Sequence, residues 1–428
     1  MDGAQEYVWT PPSYNFSRKP VAAAHTKLAP DLSFPHNFAR CGKWCPDGSV
    51  ALMQCENRTF QTLHLQVIEV SNFPTGSFGF SKPSEARIIP QAEAIVDFAW
   101  YPRATLHDPA SYCFVTSVRE CPVRLLDASD GRLRASYRIV DHRERQIAPH
   151  SLAFNVVGDK LYCGFQDAVE VFDLNAPGQG TRLPTTPSRK NRDGLKGIIS
   201  SIAFCPTYDP SSQLFAAGSL APSSSISSNI ALYDEGTGTA RAMGWIGDVR
   251  ASVTQLAFNP MKPYILYSSF RRHGAIYSWD LRSDTSVPFQ VFGLEGDKWN
   301  STNQKLRFDV DIAGRWLAVG GLTGRVSIFN LDDPPPSAEG GTGTEKTQPY
   351  MVYHAHEDAV GSVGFHPMHP LLLSVSGSRH FDTMDDNMLH GEQGTESESD
   401  PEEAPAVLLS RARRQPSVVD SSVRLWGF

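Results

Sequence analysis

The chain has 428 residues, 40% hydrophobic and 20% charged, which is enough apolar content for a sizeable core and excludes a wholly disordered polypeptide. It has no run of 18 apolar residues, and Met1-Asp2-Gly3-Ala4-Gln5-Glu6 opens no signal peptide, so a soluble intracellular protein with 7 reduced cysteines is expected. The net charge of −7 is unevenly placed: nine acidic residues and no Lys or Arg lie between His380 and Pro405, leaving 39 basic against 37 acidic residues elsewhere, so net charge alone excludes no partner.

Taken in chain order, seven segments repeat one pattern: an alternating apolar run ending in an aromatic residue, usually followed by Pro or Gly and a second apolar run. The aromatic anchors are Trp44, Trp100, Phe154, Phe204, Phe258, Phe308 and Phe365, spaced 50 to 57 residues apart. Third strands with strict two-residue alternation follow in each unit, as in Val169-Glu170-Val171-Phe172-Asp173 and Ile276-Tyr277-Ser278-Trp279-Asp280. A period slightly above that of WD40 repeats predicts an all-β, seven-bladed WD40 β-propeller over residues 38–428.

The seventh repeat supplies three strands before Phe428, so a fourth is expected from the N-terminal segment, residues 1–37. Glu6-Tyr7-Val8-Trp9-Thr10 alternates suitably and is the candidate closing strand. In the same repeat, His356, Ser376, Asp420 and Trp426 stand in the order of a WD40 hydrogen-bonded tetrad. Residues 379–416 interrupt it between strand and turn, and their acidic, Ser- and Pro-containing composition predicts a disordered insertion.

Catalytic and cofactor chemistry is expected to be absent. Gly340-Gly341-Thr342-Gly343-Thr344-Glu345-Lys346-Thr347 nearly matches a phosphate-binding loop, but Glu345 stands in place of the required second Gly and would repel phosphate, so the run reads as a linker. Cys41, Cys45 and Cys55 lack a paired ligand set and read as small buried hydrophobes, not as a metal site. His150-Ser151 at a strand start reads as a packing position. No enzyme motif, cofactor, metal or small-molecule substrate is expected, and no membrane partner.

What remains is a binding surface. In a propeller, the turns joining strands b and c share one rim with the loops joining strand d to the next strand a. That rim should carry Arg119, Arg143, Arg145, Lys190, Arg192, Arg271, Arg272, His273, Lys298, Trp299, Asn303, Gln304 and Lys305. The cations suit phosphates, Trp299 or His273 suits base stacking, and Asn303 or Gln304 suits base-edge hydrogen bonds. The alternatives are a solvated rim of scattered charges, or a propeller that docks only peptides and protein subunits.

Several runs resemble the telomerase Cajal body protein family of WD40 proteins. They are Thr116-Ser117-Val118-Arg119-Glu120-Cys121-Pro122-Val123, Gly131-Arg132-Leu133-Arg134-Ala135-Ser136-Tyr137-Arg138, His150-Ser151-Leu152-Ala153-Phe154, Leu161-Tyr162-Cys163-Gly164-Phe165, Gly197-Ile198-Ile199-Ser200-Ser201-Ile202-Ala203-Phe204, Trp279-Asp280-Leu281-Arg282 and Thr302-Asn303-Gln304-Lys305. The resemblance covers residues 36–380 and the final strand. It implies a nuclear, nucleoplasmic or Cajal-body-like, RNA-binding scaffold that recognises a short loop motif of small nuclear or Cajal-body RNA (scaRNA) and escorts the ribonucleoprotein. Telomerase RNA, RNP proteins and the spliceosomal, mRNA-splicing pathway enter as the partners and setting it implies. The chain differs from animal members in its shorter ends and its acidic insertion.

Overall fold

The computed structural model describes residues 10–68, 77–82, 85–176, 178–187, 194–207, 213–221, 229–234, 242–247, 249–294, 302–335, 345–381 and 416–428. Among the described residues there is no α-helix, and the strands form seven small sheets in a ring, a seven-bladed β-propeller. The inner strands, a, are Ala39–Trp44, Ile95–Trp100, Ser151–Phe154, Ile199–Phe204, Val253–Phe258, Phe308–Val310 and Val360–Phe365. They line a central channel because strand a is innermost in every sheet.

The anchor aromatics end strand a in six blades. Blade six departs from the expected register. There the turn after strand a is closed by the Asp311 amide on the Trp316 carbonyl, as Asn259 and His366 close theirs in blades five and seven. Val310, not Phe308, therefore stands where Phe258 and Phe365 stand. Phe308 opens the strand and is buried in the interface with blade five.

The b strands are buried on both faces, as Val50–Cys55, Cys113–Val118 and Leu371–Ser376 show along their whole length. Apolar side chains from adjacent blades fill the space between sheets. Cys45 and Phe60 of blade one pack with Phe98, Trp100 and Phe114 of blade two, the Phe60 ring lying 5.2 Å from Phe98 and 5.0 Å from Phe114. Cys41, Cys45 and Cys55 are all buried, and burial pushes the Cys55 thiol up to about 12.

The ring is closed by an N-terminal strand, but not the one expected. Val21–Lys27 pairs antiparallel with Ser422–Gly427, from Val21 opposite Gly427 to Lys27 opposite Ser422. Glu6 to Trp9 lie outside the described residues, and Thr10 is exposed coil. The stretch between is anchored by Tyr14 and Phe16, whose rings contact Phe365, Trp316 and Phe428. This anchor brings the chain to the open edge at Val21, fourteen residues after Tyr7.

Two blades carry additions. Thr59–Ile68 of blade one pairs with Ser77–Phe80 at one end and Ile88–Pro90 at the other. Blade five gains a fifth strand, because Lys346–Thr347 runs parallel to Gln290–Gly293. The glycine-rich run expected as a linker thus ends in a sheet edge, with Gly340 to Thr344 outside the described residues.

Blade seven also corrects the tetrad. His356, fully buried, exchanges hydrogen bonds with Ser374 through Nε2 (2.7 Å) and Ser422 through Nδ1 (2.9 Å), and Trp426 Nε1 donates to Ser374 Oγ (2.9 Å). Asp420 lies 3.4 Å from His356 Nδ1 and accepts the Glu357 and Ser422 amides. The serine is therefore Ser374; the expected Ser376 instead donates to the Asp358 and Ala359 carbonyls. Trp426 pairs directly with Leu372, and Ser374 is its diagonal neighbour on the same face. Ser376 lies one further repeat along the strand, about 6.7 Å away.

The insertion is narrower than residues 379–416. Arg379 pairs with Glu56, His380 Nε2 lies 2.9 Å from Asp358, and the backbones of His380 and Ser417 exchange two 2.9 Å hydrogen bonds. Residues 382–415 lie outside the described residues.

Candidate nucleic-acid interface

The b–c turns of blades one, two, three and five are tight, and each places a non-glycine residue at positive φ: Arg58 (64°), Glu120 (58°), Asp167 (56°) and Arg272 (61°). A recurring backbone bond ties the first turn residue to the loop before strand a of the same blade. Glu56 donates to Phe38, Arg119 to Ala94, Leu220 to Ile198, Arg271 to Ser252 and Gly377 to Ala359. The side chains of Glu56, Arg119 and Arg271 are therefore carried beside the channel mouth.

Around that mouth the start of strand a adds more cations. Lys305 lies within electrostatic reach of Arg307, Arg271 and Arg40, and His150 within reach of Lys305 and Arg119. Burial pushes the Lys305 ammonium down to about 8, the neighbouring guanidiniums add to the fall, and Asp97 opposes it. Burial also pushes His150 below its ordinary range, with Lys305 and Arg119 contributing. Six basic side chains from five blades thus surround one opening.

Hydrogen bonds hold this cluster in place. Arg307 donates its amide to Gly361 and its guanidinium to the Thr254 carbonyl at 3.1 Å, spanning blades five to seven. Arg40 pairs with Glu56, which also takes Arg379. Arg119 and Arg271 are exposed and form no ion pair with a carboxylate among the described residues, while Lys305 is half-buried with Asp97 within electrostatic reach.

Below the mouth, inner strands of all seven blades line a cavity of 410 Å³ with Lys43, Asp97, Gln255, Arg307, Asp309 and Ser362 among its walls. Its carboxylates are already engaged. Asp97 accepts the Leu152 amide at 2.9 Å and lies 3.7 Å from Lys43 Nζ. Burial pushes Asp309 up to about 7 despite the amide bond it accepts from Phe365 at 2.8 Å, which weakens the negative charge it presents at neutral pH.

The expected rim residues divide into groups. Arg119, Arg271 and Lys305 meet at the mouth. Arg272 Nε donates to Asn303 Oδ1 at 3.1 Å, which joins the blade-five turn to the loop entering blade six as the chain order implied. Gln304 Nε2 donates to the Gly377 carbonyl at 2.9 Å, so that amide fastens blade six to blade seven. His273 packs half-buried against Phe270 and Tyr277, with ring centroids 5.9 and 6.2 Å away in tilted contacts. Arg145 is paired to Asp141 at 2.9 Å within its own turn, whereas Arg143 is exposed beside it. Lys190, Arg192, Lys298 and Trp299 lie outside the described residues.

Arg40 and Arg307 were missed by sequence reasoning, which read His150 as a packing position. Each sits within the first two positions of strand a or just before it, where the repeat pattern reads only strand. Their shared signal is a basic residue at the entry of strand a, which becomes visible once the strand starts are aligned.

Fold and rim together define a WD40-type seven-bladed β-propeller with a cationic face around one mouth of its channel. No family model matches the chain. It is 31% identical over 378 residues to the Bos taurus protein named Telomerase Cajal body protein 1, spanning 86% of this chain and 63% of that protein. The Homo sapiens protein of the same name is 30% identical over 406 residues, 93% of this chain and 65% of that protein. A Schizosaccharomyces pombe protein named Guanine nucleotide-binding protein negative regulator 1 is 27% identical over 335 residues, 77% of this chain and 78% of that protein. The chain is thus a relative of the telomerase Cajal body proteins, as its motifs implied, and spans somewhat less than two thirds of the length of these two mammalian relatives.

Proposed function

We propose that this protein is a nuclear, non-enzymatic scaffold that binds small noncoding RNA of the Cajal-body type on the cationic face of its propeller and assists ribonucleoprotein assembly or localisation. One observation carries the reading: Arg40, Arg119, His150, Arg271, Lys305 and Arg307 converge on one opening in a chain of net charge −7. A local basic focus on an acidic protein is the electrostatic footprint of a polyanion site. The names of its relatives support telomerase-related, Cajal-body ribonucleoproteins as the setting and RNP proteins as further partners. A place in the spliceosomal pathway rests on the sequence resemblance alone.

The test is binding of a small Cajal-body-type RNA across a salt series. Each phosphate contact adds about 0.7–0.9 to the slope of log affinity against log salt. The double variant Arg119→Ala with Arg271→Ala should bind more weakly and lower that slope by about 2 while melting like the parent. Unchanged affinity and slope in the folded variant would exclude this face as the RNA site.

A second reading, a propeller that docks only proteins, is favoured by a different feature. Turns between strands a and b, on the opposite face, expose one large apolar residue in each of five blades, Leu106, Val157, Met261, Ile312 and Met368. RNA binding abolished by no change on the cationic face would favour it.

A further inference from the structure

We propose that the channel mouth seats one backbone phosphate of the bound RNA, with the Lys305 ammonium as its central contact, Arg271 and Arg307 around it and Arg119 on the far side of His150. This rests on the RNA reading above and narrows it from a face to a point. A rim of separate surface cations would contact phosphates spread over several nucleotides. Here Lys305 instead lies within electrostatic reach of Arg307, Arg271 and Arg40, with Asp97 as the opposing carboxylate, and Arg119 and Arg271 form no ion pair among the described residues.

The fold holds the like charges together. Arg307 is fixed by bonds to Gly361 and Thr254, and Arg40 by Glu56, so these guanidiniums cannot turn away from Lys305 without breaking bonds. Gly361 adds a steric reason: a Cβ there would lie 2.8 Å from the Arg40 carbonyl, so only glycine lets blade seven approach blade one this closely. Mutual repulsion in a half-buried site is unfavourable until an anion enters, which is the design of a phosphate seat. The Arg272–Asn303 pair walls one side, leaving the Asn303 amide nitrogen available to an adjacent nucleotide.

This arrangement makes RNA binding respond to pH in a defined window. The groups facing Lys305 are Arg307, Asp97, Arg271, Arg40 and His150. The arginines remain charged throughout, and His150, pushed down by burial, remains neutral above pH 7. Lys305, at about 8, is the cation that titrates. A bound phosphate needs the protonated form, so affinity is full near pH 7 and falls as pH rises through 8. Between about pH 7 and about pH 8.5 the protonated fraction drops from about nine tenths to about a quarter, a loss of about fourfold.

The experiment measures binding of a single-stranded loop RNA by fluorescence anisotropy at both pH values for the full chain, Lys305→Met and Lys305→Arg. The expected results are an about fourfold loss for the parent, weak and pH-independent binding for Lys305→Met with a salt slope lowered by about 1, and near-parental, pH-independent binding for Lys305→Arg. If Lys305→Met does not fold, the arginine variant decides: a fourfold loss that persists in Lys305→Arg overturns the proposal. Parental affinity in folded Lys305→Met, combined with weak binding by Arg119→Ala and Arg271→Ala, overturns the phosphate seat and leaves the RNA face standing. No RNA binding by the parent overturns both.

Discussion

His366 shows how one side chain couples the seam of the ring to pH. Its Nε2 donates to the Gly48 carbonyl at 2.9 Å, and its Nδ1 accepts the Met368 and His369 amides at 3.0 Å each. The ring must therefore be neutral, and burial pushes its pKa down to about 4. An unfolded histidine titrates near 6.5, so the stabilisation is complete above about pH 6.5 and is lost as pH falls through the window from 6.5 to 4. The loss amounts to about 2–3 kcal/mol. Urea unfolding at pH 7 and pH 4.5 should show it, and His366→Gln should be less stable at pH 7 but flatter between the two. An equal slope in parent and variant would exclude His366 as the source.

The closing strand is an element whose importance exceeds its local signal. Val21–Lys27 covers the edge of Ser422–Gly427, and Tyr14 and Phe16 hold the approach to it. Removing residues 1–27 should uncover six ladder residues, lower the melting temperature by many degrees and promote association through the bare edge. A chain beginning at Thr10 keeps all of that packing and should melt with the parent. Equal melting of the chain lacking residues 1–27 would show that the ring does not depend on this strand.

Across the molecule, charge is divided between a cationic channel mouth and an acidic insertion that enters the fold at the same rim. The neck of the insertion is closed by the His380–Ser417 backbone pair, and Asp358 accepts bonds from Ser378 and His380 beside it. The two chain ends are thus already adjacent. Replacing residues 382–415 with a short turn should leave strand content and melting temperature unchanged, as read by circular dichroism. Loss of cooperative melting would mean that the insertion contributes to the fold.

The ring of seven sheets was legible in the chain because its signals are local. Two-residue alternation, an aromatic closing strand a and a turn after it recur within each unit, and no contact between distant residues is needed to see them. Blade six was displaced by two residues for the same reason: Phe308 and Val310 occupy the same face of one strand, and only the Asp311–Trp316 turn bond distinguishes them. Ser374 and Ser376 also share a face, and the register against Trp426 selects between them. The closing strand depends on where the Tyr14–Phe16 anchor lands, which no propensity of Glu6-Tyr7-Val8-Trp9-Thr10 encodes. The phosphate seat lay furthest from view. Arg40, Arg119, His150, Arg271, Lys305 and Arg307 are scattered through the chain, and they meet because closure of the ring directs the start of every strand a toward one axis.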